Sequence, residues 1–250
     1  MSAITSPSFQ RLVQTLKKQK KTVSVVEQCC GGLIQTSIMA QPGASRVYIG
    51  GCIPYNTSKT KPLLLNSTTL HQSLLTSPTS TTTPETTLYN DRSTSIGYIK
   101  SKYDWTTNTA IAFCNELQTV DYVISEGGAA GPTFQPSDMT TGFTVISIAG
   151  RNKEDDNNND DNDNGGGGSK VKVLTQKLIQ STTNNRQDNM RLFADAAADL
   201  LLEILTTENG ADDNADDNAD DKGSVVTTTT TTNDDEKKEE QQLTLDRCTV

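Results

Sequence analysis

The chain has 250 residues, a formal net charge of −9 and only 33% hydrophobic residues, a poor composition for one large packed domain. The acidity is concentrated: residues 152–164 and 208–240 carry 18 of the 31 acidic residues. The rest of the chain holds 13 acidic and 18 basic residues, a mildly basic balance that suits an anionic small ligand.

In chain order, Phe9, Leu12, Val13 and Leu16 fall at helical spacing and predict a helix over 8–20. A strand follows over 22–26, a helix over 31–40 and a strand over 46–55. Residues 66–98 are rich in Ser, Thr and Pro and are expected to form a soft surface loop. A helix is predicted over 104–117, with Asp104 or Thr106 as N-cap. DYVISE (121–126) reads as a buried strand leading into the loop GGAAGPTF, and GFTVISIA (142–149) reads as another. Beyond the Asp/Asn/Gly run at 152–169 come a strand over 170–179 and a long helix over 185–205. Low-complexity runs bury too little apolar surface to offset the entropy of ordering them. Residues 152–169 are therefore expected to be a disordered insertion, and 207–250 a disordered acidic tail. The alternation of helices and strands predicts one three-layer α/β/α domain over 8–206.

Several classes are excluded. DDNADDNADD lacks the central glycine and closing glutamate of an EF-hand loop. No apolar run approaches the roughly 18–20 residues of a membrane span, so no membrane contact is expected. The basic run KKQKK (17–21) has no interleaved aromatics and reads as a solvated helix end, which argues against nucleic acid as a partner. Five cysteines, odd in number and mostly inside apolar runs, read as reduced thiols of an intracellular, cytoplasmic protein. The single histidine, His71, sits in the soft loop, and no metal-ligand spacing appears. Neither a metal nor a cofactor is expected.

Four stretches can carry chemistry. EQCCGG, residues 27–32, lies at a strand-to-helix junction, where glycines admit close approach and free N–H groups hold an anion. Cys29 or Cys30 there can serve as a nucleophile if its pKa is lowered. The plain alternative is a tight turn with two buried thiols. YNTSKTK, residues 55–61, offers Tyr55, Lys59 and Lys61; a lysine becomes a general base only when desolvated or crowded by charge. GGAAGPTF follows a strand at the edge where open α/β sheets form ligand crevices. Arg186 and Arg191, near the start of the last helix, are placed to grip a phosphate.

In order and surroundings these stretches resemble the C-terminal domain family of CinA, the nicotinamide-nucleotide amidohydrolases. The matching text is EQCCGG, PGAS, a strand ending in YNTSKTK, then LLLN, GGAAGP, GFTV and an arginine before the closing helix. The resemblance spans about 8–205. It implies hydrolysis of the carboxamide of nicotinamide mononucleotide to the acid and ammonia. The family's nucleophile is a serine after the motif glutamate, activated by a lysine that follows the tyrosine. Carried over, Glu27, Gly31, Gly32, Tyr55, Gly128, Gly131, Pro132 and Arg186 match, Thr133 continues the loop, and the lysine is Lys61 or Lys59. Gln28 stands where the serine belongs, and a carboxamide cannot attack a carbonyl. Glu126 adds a negative charge beside the expected pocket.

Three readings follow. The first is an amidohydrolase on nicotinamide mononucleotide or a related amide, with Cys29 or Cys30 attacking. The second is a non-catalytic domain that binds a nucleotide-like ligand. The third is a cysteine-dependent hydrolase of another substrate. The resemblance also leans toward a homo-oligomer.

Overall fold

The computed structural model describes residues 6–55, 92–134, 136–151 and 170–212, the side chains of 209–212 excepted. Helix α1 (Pro7–Gln19) begins with proline in its first turn, where the missing N–H costs nothing. Lys20, in the left-handed conformation, closes it by donating to the carbonyls of Leu16 and Lys17. Phe9, Leu12, Val13 and Leu16, the stripe expected from the sequence, are all buried.

Strand β1 (Val23–Val26) is buried along its whole length, as a central parallel strand must be. Helix α2 (Leu33–Met39), a short 3₁₀ turn (Ala44–Arg46) and strand β2 (Tyr48–Cys52) complete the first crossover. Next among the described elements come helix α3 (Ser95–Glu116), β3 (Tyr122–Ala129), β4 (Phe143–Arg151), β5 (Val171–Gln180) and helix α4 (Arg186–Asp212).

The five strands form one sheet in the order β2-β1-β3-β4-β5. β1 runs parallel to both β2 and β3, whereas β4 is antiparallel to β3 and to β5. Side-chain alternation along β1 and β3 separates the two faces. Val23, Val25, Tyr122 and Ile124 join the core built by α1, α2 and α4 around Phe9, Ile34 and Phe193. Val26 and Val123 face α3 with Trp105, Ala110 and Cys114. This is the expected three-layer α/β/α architecture.

Three boundaries differ from the sequence reading. Helix α3 starts at Ser95, not at 104, and takes in residues assigned to the soft loop. Its N-cap is Thr94, whose Oγ1 accepts from the Gly97 N–H at 3.2 Å. The Asp138 carboxylate accepts from the Ser95 N–H at 3.1 Å and from its hydroxyl at 2.7 Å, a favourable charge at a helix N-terminus. Strand β3 runs on through Gly127, Gly128 and Ala129 because each pairs with β4, so the first three residues of the expected glycine loop are strand. Helix α4 continues to Asp212, six residues beyond the expected end of the domain. The soft loop over 66–91, the insertion over 152–169 and the tail beyond 212 lie outside the described residues.

Candidate functional site

The EQCCGG turn leaves the C-terminal end of β1, beside the C-terminal half of β3, and delivers the chain to α2. Gly31 and Gly32 have φ of 63° and 101°, left-handed values that a Cβ would strain. A Cβ on Gly32 would also come within 3.0 Å of Ile53. The two glycines are thus explained by the turn itself.

Glu27 is fully buried and points at the start of α2. Its carboxylate accepts from the N–H of Ile34 at 3.2 Å, the N–H of Gln35 at 3.1 Å and the Gln35 side chain at 2.9 Å. It therefore caps the short helix from outside. Gln35 in turn accepts from the Tyr48 hydroxyl at 2.6 Å, tying the cap to β2. Burial, and then the neighbouring Glu126 charge, raise the Glu27 carboxyl above its ordinary value; the bonds from Gln35 and Ile34 oppose the shift.

The centre of the site is Glu126, completely buried. Oε2 accepts from the N–H groups of Gln28, at 3.0 Å, and Cys30, at 3.2 Å. Oε1 accepts from the Cys29 thiol at 2.7 Å and from the Thr144 hydroxyl. The turn N–H groups that would greet an external anion thus hold an internal carboxylate. Charge-assisted bonds of this kind are about twice as strong as neutral ones.

Lys102, on α3, is also buried, and its Nζ donates to Gln28 Oε1 at 2.9 Å. The ammonium lies 5.2 Å from the centre of the Tyr98 ring. Burial lowers its pKa, while Cys29 and Glu126 pull it back up. Gln28 Nε2 is buried and has no hydrogen-bond partner among the described residues.

Neither thiol is arranged as an activated nucleophile. Burial raises Cys29, with Glu126 adding to the shift. Burial pushes Cys30 well above the ordinary thiol value, and its sulfur lies 3.7 Å from the Met190 carbonyl. A reactive cysteine needs an exposed, electropositive setting; these two lie in a dry pocket beside a carboxylate.

A second cluster lies at the rim. Arg186, in the first turn of α4, donates to the Gly131 carbonyl at 3.0 Å and to the Tyr55 hydroxyl at 3.2 Å. Tyr55 is 60% exposed. Asn189 Nδ2 donates to the carbonyls of Ala130 and Thr183 at 2.9 and 3.0 Å, pinning the glycine loop to the helix. Asn185 caps α4 by accepting from the Gln187 and Asp188 N–H groups.

With this geometry in place, comparison with known proteins is direct. Residues 6–83 match the family model of the CinA C-terminal domain. Over those residues the chain is similar to the CinA C-terminal domain. A CinA-like protein of Thermotoga maritima is 42% identical over 53 residues, which are 21% of this chain and 13% of that protein. A CinA-like protein of Prochlorococcus marinus subsp. pastoris is 29% identical over 141 residues, 56% of this chain and 27% of that protein. The chain thus spans only a small part of the curated relatives it matches. Two solved structures share the fold at a TM-score of 0.53. One is the competence/damage-inducible protein CihA of Agrobacterium tumefaciens, at 16% identity, covering 82% of this chain and 99% of that chain. The other is a CinA superfamily protein of Escherichia coli, at 13% identity, covering 81% and 90%.

Of the residues expected at the CinA-type site, the fold brings Gln28, Cys29 and Cys30 together with Glu126, and Tyr55 and Arg186 together with Gly131. Lys59 and Lys61 lie outside the described residues. Gly128, expected in the ligand loop, is paired in β3, where a Cβ would meet the Phe143 carbonyl at 2.1 Å. Glu126, expected beside the pocket, turns inward to the N–H groups of the turn. Tyr55, expected as a catalytic partner, is a rim residue. Pro132 and Thr133 are exposed on the loop beyond Gly131. Arg191 forms a solvent-exposed pair with Asp188 at 3.7 Å, away from the phosphate role considered for it. The sequence reading missed Lys102, Thr144 and Asn189. Lys102 lies before the expected helix start, so its burial had no signal in the sequence.

No described helix is long and apolar enough to cross a membrane.

Proposed function

We propose that this CinA-type domain binds a nucleotide-like anionic ligand, such as nicotinamide mononucleotide or a related amide, without hydrolysing it. The observation that carries the reading is the Glu126 carboxylate on the N–H groups of Gln28 and Cys30. An amide hydrolase needs those donors free for the developing oxyanion. Here they are saturated by an internal anion whose removal would leave two buried N–H groups unpaired. Gln28, in place of the family's serine, supplies no attacking atom, and Lys102 is spent on its carboxamide oxygen.

What remains available favours binding. Arg186 presents a planar donor set, suited to a phosphate, beside Tyr55 and the Gly131 loop. Gln28 Nε2 is a buried donor that a ligand carbonyl would satisfy. Thiol-based hydrolysis by Cys29 is less supported, because burial and Glu126 both oppose formation of its thiolate.

The test is ligand-dependent thermal stabilisation of the full chain by nicotinamide mononucleotide. Stabilisation that Arg186→Ala reduces by at least about tenfold in apparent affinity, or about 1.4 kcal/mol, is expected. No stabilisation at millimolar ligand, or stabilisation indifferent to Arg186, would sink the reading.

A further inference from the structure

We propose that Cys29, Cys30 and Glu126 form a binding site for one thiophilic divalent metal ion, zinc being the natural choice. The two sulfurs and a Glu126 carboxylate oxygen lie within 4.8 Å of one another, and all three residues are buried. Bonds of ~2.3 Å to sulfur and ~2.0–2.2 Å to oxygen around a tetrahedral ion place ligand atoms roughly 3.3–3.8 Å apart. The Cys29 sulfur lies 2.7 Å from Glu126 Oε1 and all three ligand atoms lie within 4.8 Å of one another, a range that brackets those separations.

The surroundings are those of a metal site. Glu126 is a carboxylate with one oxygen committed and one to give. Oε2 is held by the backbone of the turn, whereas Oε1 is bound by the Cys29 S–H and the Thr144 hydroxyl. Replacing the Cys29 proton by a cation frees a lone pair on Oε1 for that same cation. Thr144 stays beside the carboxylate as its orienting donor, the usual outer partner of a ligating group.

The charge count also closes. Exchanging both thiol protons for one divalent cation leaves the net charge of the cluster unchanged. Two protons leave to solvent, two metal–sulfur bonds form and no redox change occurs. A cluster that accepts a dication without adding net buried charge avoids the usual penalty of burying ions. Two thiolates with one carboxylate prefer a borderline-soft ion to magnesium or calcium. The bound ion would tie the turn after β1 to β3. The proposal shares Glu126 with the ligand reading, but its experiment reads metal at Cys29 and Cys30, whereas the ligand reading is tested at Arg186.

The experiment uses the full, reduced protein with Co²⁺ and Zn²⁺ alone as probes. One equivalent should survive a weak-chelator wash that strips the acidic insertion and tail. The cobalt form should show a thiolate-to-cobalt charge-transfer band that carboxylates cannot produce. Cys29→Ser and Cys30→Ser should each abolish the band, and Glu126→Gln should weaken metal binding at least about tenfold. Cys52→Ser and Cys114→Ser should leave it unchanged. X-ray absorption on the wild-type zinc form guards against variants that fail to fold, and should report two sulfur neighbours. A shell of oxygen alone, a band that survives loss of both Cys29 and Cys30, or no tight equivalent would overturn the site.

Discussion

The buried cluster around Glu126 and the open rim around Arg186 come from the same series of sequence motifs, yet they are built in opposite ways. In the cluster every strong group is answered from within: Glu126 by two N–H groups, a thiol and a hydroxyl, and Lys102 by Gln28. At the rim, among the described residues, Arg186 makes two bonds, one to a backbone carbonyl and one to an exposed tyrosine. Internal saturation stabilises the fold, while incomplete saturation at the surface leaves donors that the proposed ligand would meet.

The contrast can be broken at several points. The largest effect is expected from Glu126→Ala, which strands the N–H groups of Gln28 and Cys30 in a dry site. At about 1–3 kcal/mol for each buried unsatisfied donor, the loss in chemical denaturation should be about 3–5 kcal/mol. A loss under about 1 kcal/mol would mean that the cluster is not the structural element described. Next is Gly128→Ala: the Cβ would sit 2.1 Å from the Phe143 carbonyl, so β3 and β4 must separate, at about 2–3 kcal/mol. A neutral result would return Gly128 to a role in the ligand loop.

Glu27 sharpens the contrast through pH. Its folded-state pKa is raised above the ordinary 4.5, mainly by burial. The stability contributed by protonation is full below 4.5 and is lost as pH rises through the higher folded value. Relative to Glu27→Gln, the wild type should lose stability as pH rises from 4.5 toward neutrality; a difference independent of pH contradicts the assignment. The smallest effect on stability belongs to Arg186→Ala, within about 0.5–1 kcal/mol, although this variant should lose ligand-induced stabilisation. Unfolding of Arg186→Ala by several kcal/mol would make the rim structural as well.

How far each region was legible in the sequence follows the same division. Helix α1, strand β1 and helix α4 announce themselves because burial on one side imposes a period on their apolar residues. The first nine residues of α3 lack such a stripe, and their start depends on Thr94 and on Asp138, 43 residues distant from Ser95. Glycines are depleted in strands, so Gly127 and Gly128 read as loop until β4 pairs with them. Tyr55, Gly131 and Arg186 were named as candidates from the motif resemblance, and the fold brings the three together through the Arg186 guanidinium. The inward turn of Glu126 and the burial of Lys102 were not legible, because both depend on contacts across at least 74 residues of chain. Likewise nothing in the two neighbouring cysteines shows that β3 brings Glu126 beside them.

The most direct test of the central claim is ammonia release from nicotinamide mononucleotide by the purified full-length protein, followed over many equivalents of substrate. With the turn N–H groups held by Glu126 and no attacking atom at Gln28, the account predicts no release above the uncatalysed background. Turnover that disappears in Cys29→Ala would contradict it and establish a working thiol at the heart of the cluster.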